Sequence, residues 1–189
     1  MDRRSVGGPA SDAQALESGT FREAMSRLPA AVSIITSAGP AVPCGITVSS
    51  LASVTDDPAT VSFCIARRSY ANATSKANRA IAINLLTDLQ TDLAMKFARR
   101  PENAENADMF ADGAWIVERE GAEQGHVRPP ILANWGPVLI GEIVSASNIG
   151  THSLFICRVT DVRLGGRAFP SLYFRRAFTT VSDLPAIPT

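Results

Sequence analysis

Between Ala30 and Leu86 the chain runs through AAVSIIT, GITVSSLASV, TVSFCIA and AIAINLL, segments rich in Val, Ile, Thr and Phe. Such side chains suit a pleated, half-buried surface. The breaks between them, Ala38-Gly39-Pro40 and Asp56-Asp57-Pro58 among them, are mostly too short for a crossover helix. Parallel neighbours would need a dozen or more linking residues, so the spacing predicts antiparallel pairing, in a barrel or sandwich rather than a doubly wound sheet.

Three further strand-like runs follow, PVLIGEIVSAS, HSLFICRVTDVRL and SLYFRRAFTTV, for a total of about seven strands. Near Thr160 and Asp161 the apolar parity shifts from Phe155, Cys157 and Val159 to Val162 and Leu164, which predicts a bulge. Helical signals are few. Thr20 with Glu23 and Thr87 with Gln90 have capping-box spacing; Phe21, Met25 and Leu28 follow the first, and Leu89, Leu93 and Phe97 the second. The chain is thus read as mainly β with two or three short helices: a loose arm over 1–18, one domain over 19–182 and a tail over 183–189. Small antiparallel barrels fit that count.

Charge and cysteine usage exclude several classes of function. Lys plus Arg and Asp plus Glu stand at 18 each, so the footprint of a nucleic-acid binder is absent. Cys44, Cys64 and Cys157 are odd in number and form no CxxC pair, which argues against a disulfide framework or a thiolate zinc site and fits a reducing compartment. The N-terminus lacks the apolar core of a secretory signal, and no window reaches the ~20 apolar residues of a membrane span. A cytoplasmic protein without membrane or metal is the expectation.

The stretch CGITVSSLASVTDDPAT is the most informative for chemistry. Thr47, Ser49 and Ser53 share one parity and Val48, Ser50, Ala52 and Val54 the other, so hydroxyls fall on both sides of a strand expected to be buried. Buried hydroxyls need partners. Either the barrel edge is simply rich in Thr and Ser, or small hydroxyls and backbone N–H groups line a site for a planar ligand and a phosphate. Neither a phosphate-loop sequence nor GxGxxG, HExxH or GxSxG is present. His152 opens the strand HSLFICRV, which would place its ring near a barrel mouth. Cys64 and Cys157 read as small core residues, and Arg175 and Arg176 as either a solvated strand edge or a ligand contact.

These segments, in the order FREAMSRLPAAVSIIT, CGITVSSLASVTDDPATVSFCI, AIAINLL with LAMKFA, GTHSLFICRV and PSLYFRRAF, resemble the flavin reductase family of the FMN-binding split barrel fold. The resemblance covers about Phe21 to Phe178. It implies that Thr47, Val48, Ser49 and Ser50 bind the flavin, with Ser53 and Val54 extending that wall. Ala66 to Ser69 would border the flavin and Phe97 would lie near its phosphate or ribityl end. His152 would face the nicotinamide and Arg175 the same pocket. Thr151 stands where the family commonly has an acidic residue before the histidine, and Ala31 where it commonly has Gly. The implied reaction is hydride transfer from NADH or NADPH to FAD or FMN, with FAD and NADH favoured, by chemistry that belongs to the two nucleotides. Reduced flavin would pass to a separate monooxygenase. A homodimer is implied, with Phe110, Trp115 and Trp135 either as contacts between its subunits or as core residues. The alternative is a flavin-binding carrier or sensor that accepts no pyridine nucleotide; an oxidase of the pyridoxamine phosphate type, which needs several basic phosphate ligands, fits poorly.

Overall fold

A computed structural model describes residues 17–98, 109–111, 114–117, 128–133, 136–166 and 169–181. In chain order its elements are α1 (Ser18–Ser26), β1 (Ala30–Ala31), β2 (Ser33–Ala38), β3 (Cys44–Val48), β4 (Ala52–Asp56), β5 (Ala59–Ala66), α2 (Tyr70–Asn78) and β6 (Ala80–Leu85). A 3-10 turn (Asp88–Gln90) and α3 (Thr91–Ala98) follow, then β7 (Trp115–Ile116), β8 (Ile131–Leu132), β9 (Val138–Ile149), β10 (His152–Arg163), β11 (Ser171–Phe174) and β12 (Ala177–Thr180).

Seven strands form the main sheet in the order β3-β2-β6-β9-β10-β5-β4, every pair antiparallel. Its edge strands, β3 and β4, are joined by only Ser49, Ser50 and Leu51. So short a link spans only edges that lie close together, and the sheet curls into a barrel. The seam is held by a side chain in place of backbone: Ser50 Oγ accepts from the Cys64 N–H at 2.9 Å and donates to the Cys64 carbonyl at 3.3 Å. Those are the two bonds a paired strand residue would have made.

Apolar side chains fill the barrel, among them Ile35, Val48, Phe63, Ile83, Ile143 and Phe155, with Phe63 and Phe155 stacked at 5.3 Å between centroids. A second cluster lies outside β2, where Val32, Ile34, Phe97, Phe110, Trp115 and Leu132 pack under α3. Strand β2 is therefore buried on both faces along its whole length. Two of its three hydroxyls bond inward: Thr36 donates to the Pro130 carbonyl at 2.6 Å, and Ser37 to the Ala80 carbonyl at 2.8 Å, while the buried Ser33 hydroxyl has no partner among the described residues.

The expected antiparallel barrel is present, as is the bulge, seen as a register shift between Val159 and Asp161. The Thr87–Gln90 capping box also forms, with the Thr87 N–H donating to Gln90 Oε1 at 2.9 Å. Four local readings need correction. GITVSSLASV is two strands, and β4 is exposed throughout, an outer edge strand that among the described residues pairs only with β5. SLYFRRAFTTV is the β11–β12 hairpin, turned by Arg175 and Arg176 at φ 49° and 64°. Helix α2 has no counterpart in the sequence reading. Finally, α1 starts at Ser18 and no capping box forms at Thr20: the Glu23 carboxylate is drawn instead to Arg27 at 3.3 Å and Arg176 at 3.4 Å. The arm and tail lie outside the described residues, save positions 17 and 18. No helix among the described residues is long and apolar enough to cross a membrane.

Candidate functional site

Beside the seam the fold leaves a cleft of about 350 Å³, lined by Ile46, Ala66, Arg68, Ser69, Tyr70, Phe97 and Ala98. Three elements meet there. Strand β3 supplies one wall, and α3 closes on it because residue 45 is Gly: a Cβ there would come within 2.5 Å of the Phe97 ring. Phe97 is 2% exposed and packs against Phe110 and Trp115 at 5.6 and 5.2 Å. Thr47 ties the two elements together by donating to the Ala94 carbonyl at 2.7 Å.

The third element is the junction of β5 and α2. Ser69 is the N-cap of α2, accepting the Ala71 N–H at 3.3 Å, so the start of the helix, with its partial positive charge, opens on the cleft. Arg68 lies on the same rim and, among the described residues, pairs with no carboxylate. Tyr70 is anchored away from this chemistry: its hydroxyl donates to the Gly45 carbonyl at 2.9 Å, and burial pushes its pKa up to about 12. A second, shallower groove of about 530 Å³ runs between α1 and the β11–β12 turn; its lining includes Phe21, Met25, Ser49, Ser50, Tyr173 and Arg176.

Ala66, Ser69 and Phe97 thus share the cleft, and Ser49 and Ser50 line the groove. His152, at the exposed start of β10, pairs across the sheet with Ala66, which sets its ring beside the cleft strand. Thr47 borders the cleft from β3, but its hydroxyl is taken by α3, and the Val48 side chain points into the barrel core. Ser53 and Val54 lie on the exposed edge strand β4. Arg175 stands off at the hairpin tip, where its N–H caps the Ser26 carbonyl at 2.6 Å. The hydroxyls that seemed to call for a ligand are satisfied largely by protein: Thr47 by Ala94, Ser50 by Cys64. Phe110 and Trp115 are buried around Phe97 and are core residues rather than a contact surface; Trp135 lies outside the described residues. Tyr70 and Ile46 are cleft residues that carried no sequence signal, since neither stands out by type or spacing. Cys44 and Cys157 are buried, which pushes their thiols up to about 11 and about 12, as inert core residues require. Cys64 is only half-buried, on the outer face of β5.

An antiparallel barrel closed by a side chain along one seam, with a polar-rimmed cleft beside it, is the architecture of a split-barrel oxidoreductase. Residues 25–182 match the flavin reductase like domain, and the chain belongs to that family. It is 39% identical over 158 residues to the 4-hydroxyphenylacetate 3-monooxygenase reductase component of Pseudomonas aeruginosa, covering 84% of this chain and 88% of that one. With FMN reductase (NADH) RutF of Bradyrhizobium diazoefficiens it shares 35% over 161 residues, 85% of this chain and 84% of the relative. A solved flavin reductase domain protein from Arthrobacter sp. FB24 superposes with a TM-score of 0.74 at 27% identity, over 89% of this chain and 98% of that one. The NADH:FAD oxidoreductase SgcE6 of Streptomyces globisporus C-1027 shares the fold at 22% identity, with a TM-score of 0.76 over 93% of this chain and 100% of that one. The chain is accordingly an oxidoreductase of the flavin reductase class.

Proposed function

We propose that the protein reduces free flavin, FAD or FMN, with NADH, and releases the reduced flavin to a separate monooxygenase. The observation that carries this reading is the pairing of Arg68, a cation with no carboxylate partner among the described residues, with the N-terminus of α2 on one cleft. Together they suit a phosphate. Arg68 and Ser69 would hold the flavin phosphate, while Ala66, Phe97 and the β3 edge border the rest of the molecule and Ser49 to Val54 continue that wall. Because FAD and FMN share the ring and this first phosphate, the cleft accepts both. The flavin, when bound, supplies the hydride acceptor; the protein supplies orientation and a partly water-shielded wall. Among the described cleft residues none is poised as an acid or base: Tyr70 is held protonated, and none of them is a carboxylate. His152 positions the nicotinamide; Arg175, on the β11–β12 turn against the end of α1, is left out of this site.

The test is a steady-state matrix of FAD and FMN against NADH and NADPH. Oxidation of NADH that depends on added flavin is expected; no fall in absorbance at 340 nm in any combination would leave a carrier or sensor. His152→Ala is expected to lower kcat/KM for NADH by roughly tenfold, with flavin affinity within about twofold of the parent. Loss of flavin binding instead would assign His152 to the other ligand.

Two copies of the chain are proposed to pair through β4 and the β9–β10 hairpin. Val54 there is 54% exposed and Ile149 61%, and the edge β4 presents unpaired backbone. Sedimentation should give twice the chain mass, and Val54→Asp should shift the population toward single chains. A wild-type monomer at micromolar concentration would refute the pairing.

A further inference from the structure

The turn that carries His152 is fastened from beneath by a lysine that takes no part in the cleft. Lys76, on the buried side of α2, donates to Asn148 Oδ1 at 3.1 Å and to Ser153 Oγ at 2.9 Å, and its ammonium lies 5.7 Å from the centroid of the Phe155 ring. Ser153 Oγ itself lies 2.8 Å from Asn148 Oδ1, which closes a triangle, and Ser153 is 0% exposed. No carboxylate among the described residues pairs with Lys76. Its charge is compensated only by two neutral acceptors and a ring face, an arrangement that holds geometry more than it adds stability.

Asn148 and Ser153 are directly opposed in the β9–β10 ladder, so the triangle clamps both strands just below the turn. A second clamp acts from above: the Arg67 N–H donates to the Thr151 carbonyl at 2.9 Å, and its guanidinium to the Gly150 carbonyl at 3.3 Å. His152 lies between the two, on the opposite face from Ser153. Its Nδ1 is engaged by Thr151 Oγ1 at 2.9 Å, which leaves Nε2 as the ring nitrogen open to a ligand.

We infer that Lys76 is a positioning residue for His152: through Asn148 and Ser153 it locks the β9–β10 turn so that the imidazole is presented to the nicotinamide. The inference rests on the proposed role of His152. It differs from a structural role in one measurable respect, because a residue that acts only through His152 has nothing left to act on once that side chain is gone.

NADH kinetics, flavin affinity and thermal midpoint are therefore measured for the parent, Lys76→Met, Asn148→Ala, His152→Ala and the two double variants that combine Lys76→Met or Asn148→Ala with His152→Ala. Lys76→Met keeps the aliphatic stem over Phe155, and Asn148 is exposed, so both should fold. The expected result is that each lowers kcat/KM for NADH by roughly three- to tenfold in the parent and by less than about 1.5-fold in the His152→Ala background, with flavin affinity unchanged. Lys76→Arg, which retains the donors, should restore most of the activity. Equal losses in both backgrounds, or a fully active Lys76→Met beside an impaired His152→Ala, would overturn the inference alone. A fully active His152→Ala would overturn the underlying reading as well.

Discussion

Arg68→Ala is expected to weaken flavin binding by roughly ten- to thirtyfold, the range of a charge-assisted contact to phosphate at a partly solvated site. The effect should fall on flavin affinity and on the apparent flavin KM, while kcat at saturating flavin stays near the parent value, because Arg68 would grip an end of the molecule far from the reacting ring. Raising the salt concentration should reproduce part of the loss in the parent and little of it in the variant, since the attraction to an exposed guanidinium is screened. Titration of flavin fluorescence at two ionic strengths measures all of this. If affinity and salt dependence both match the parent, the phosphate lies elsewhere.

Phe97→Ala should have the largest effect on stability. The side chain is 2% exposed, lies flush on the backbone of Gly45 and is shared between the cleft wall and the outer core with Phe110 and Trp115. Emptying such a position costs about 3–5 kcal/mol. For a domain of this size that lowers Tm by on the order of 10 °C. Flavin affinity should fall with it even at temperatures where the variant is folded, because α3 loses the contact that seats it on β3. Calorimetry with and without flavin separates the two effects: an unchanged Tm would mean that the outer core relaxes to fill the space.

What the sequence disclosed followed where burial is apolar. Strands β5, β6 and the first half of β10 alternate or run apolar because their inner faces fill the barrel, and the short breaks between β2 and β3, β4 and β5, and β9 and β10 left only antiparallel pairing for those neighbours. Helix α2 escaped notice for the complementary reason: the residues it buries are Ala71, Asn72, Ser75 and Asn78, so it has no apolar stripe to read. Its Asn72 bonds to the Ile65 carbonyl and to Ser153 below the His152 turn, Asn78 to the Val42 carbonyl and Ser75 to the Cys44 thiol, most of them partnerships between residues far apart in sequence. The hydroxyls of Thr47 and Ser50 were legible as a polar cluster, but their partners, a helix carbonyl and the Cys64 backbone, appear only once the sheet has curled. Arg68 could be named from its neighbourhood; that it lacks a counter-ion among the described residues is a property of the packed chain.

Helix α1 buries none of its residues; its described polar ties to the rest of the chain are the Ser26 carbonyl accepting from Arg175 and the Glu23 carboxylate facing Arg176. Its amides should consequently exchange with solvent deuterium far sooner than those of β2, through an opening that leaves the barrel intact. If a nucleotide does enter beside Ser49 and Ser50, as proposed, the wall contributed by α1 would yield to it before the barrel wall does.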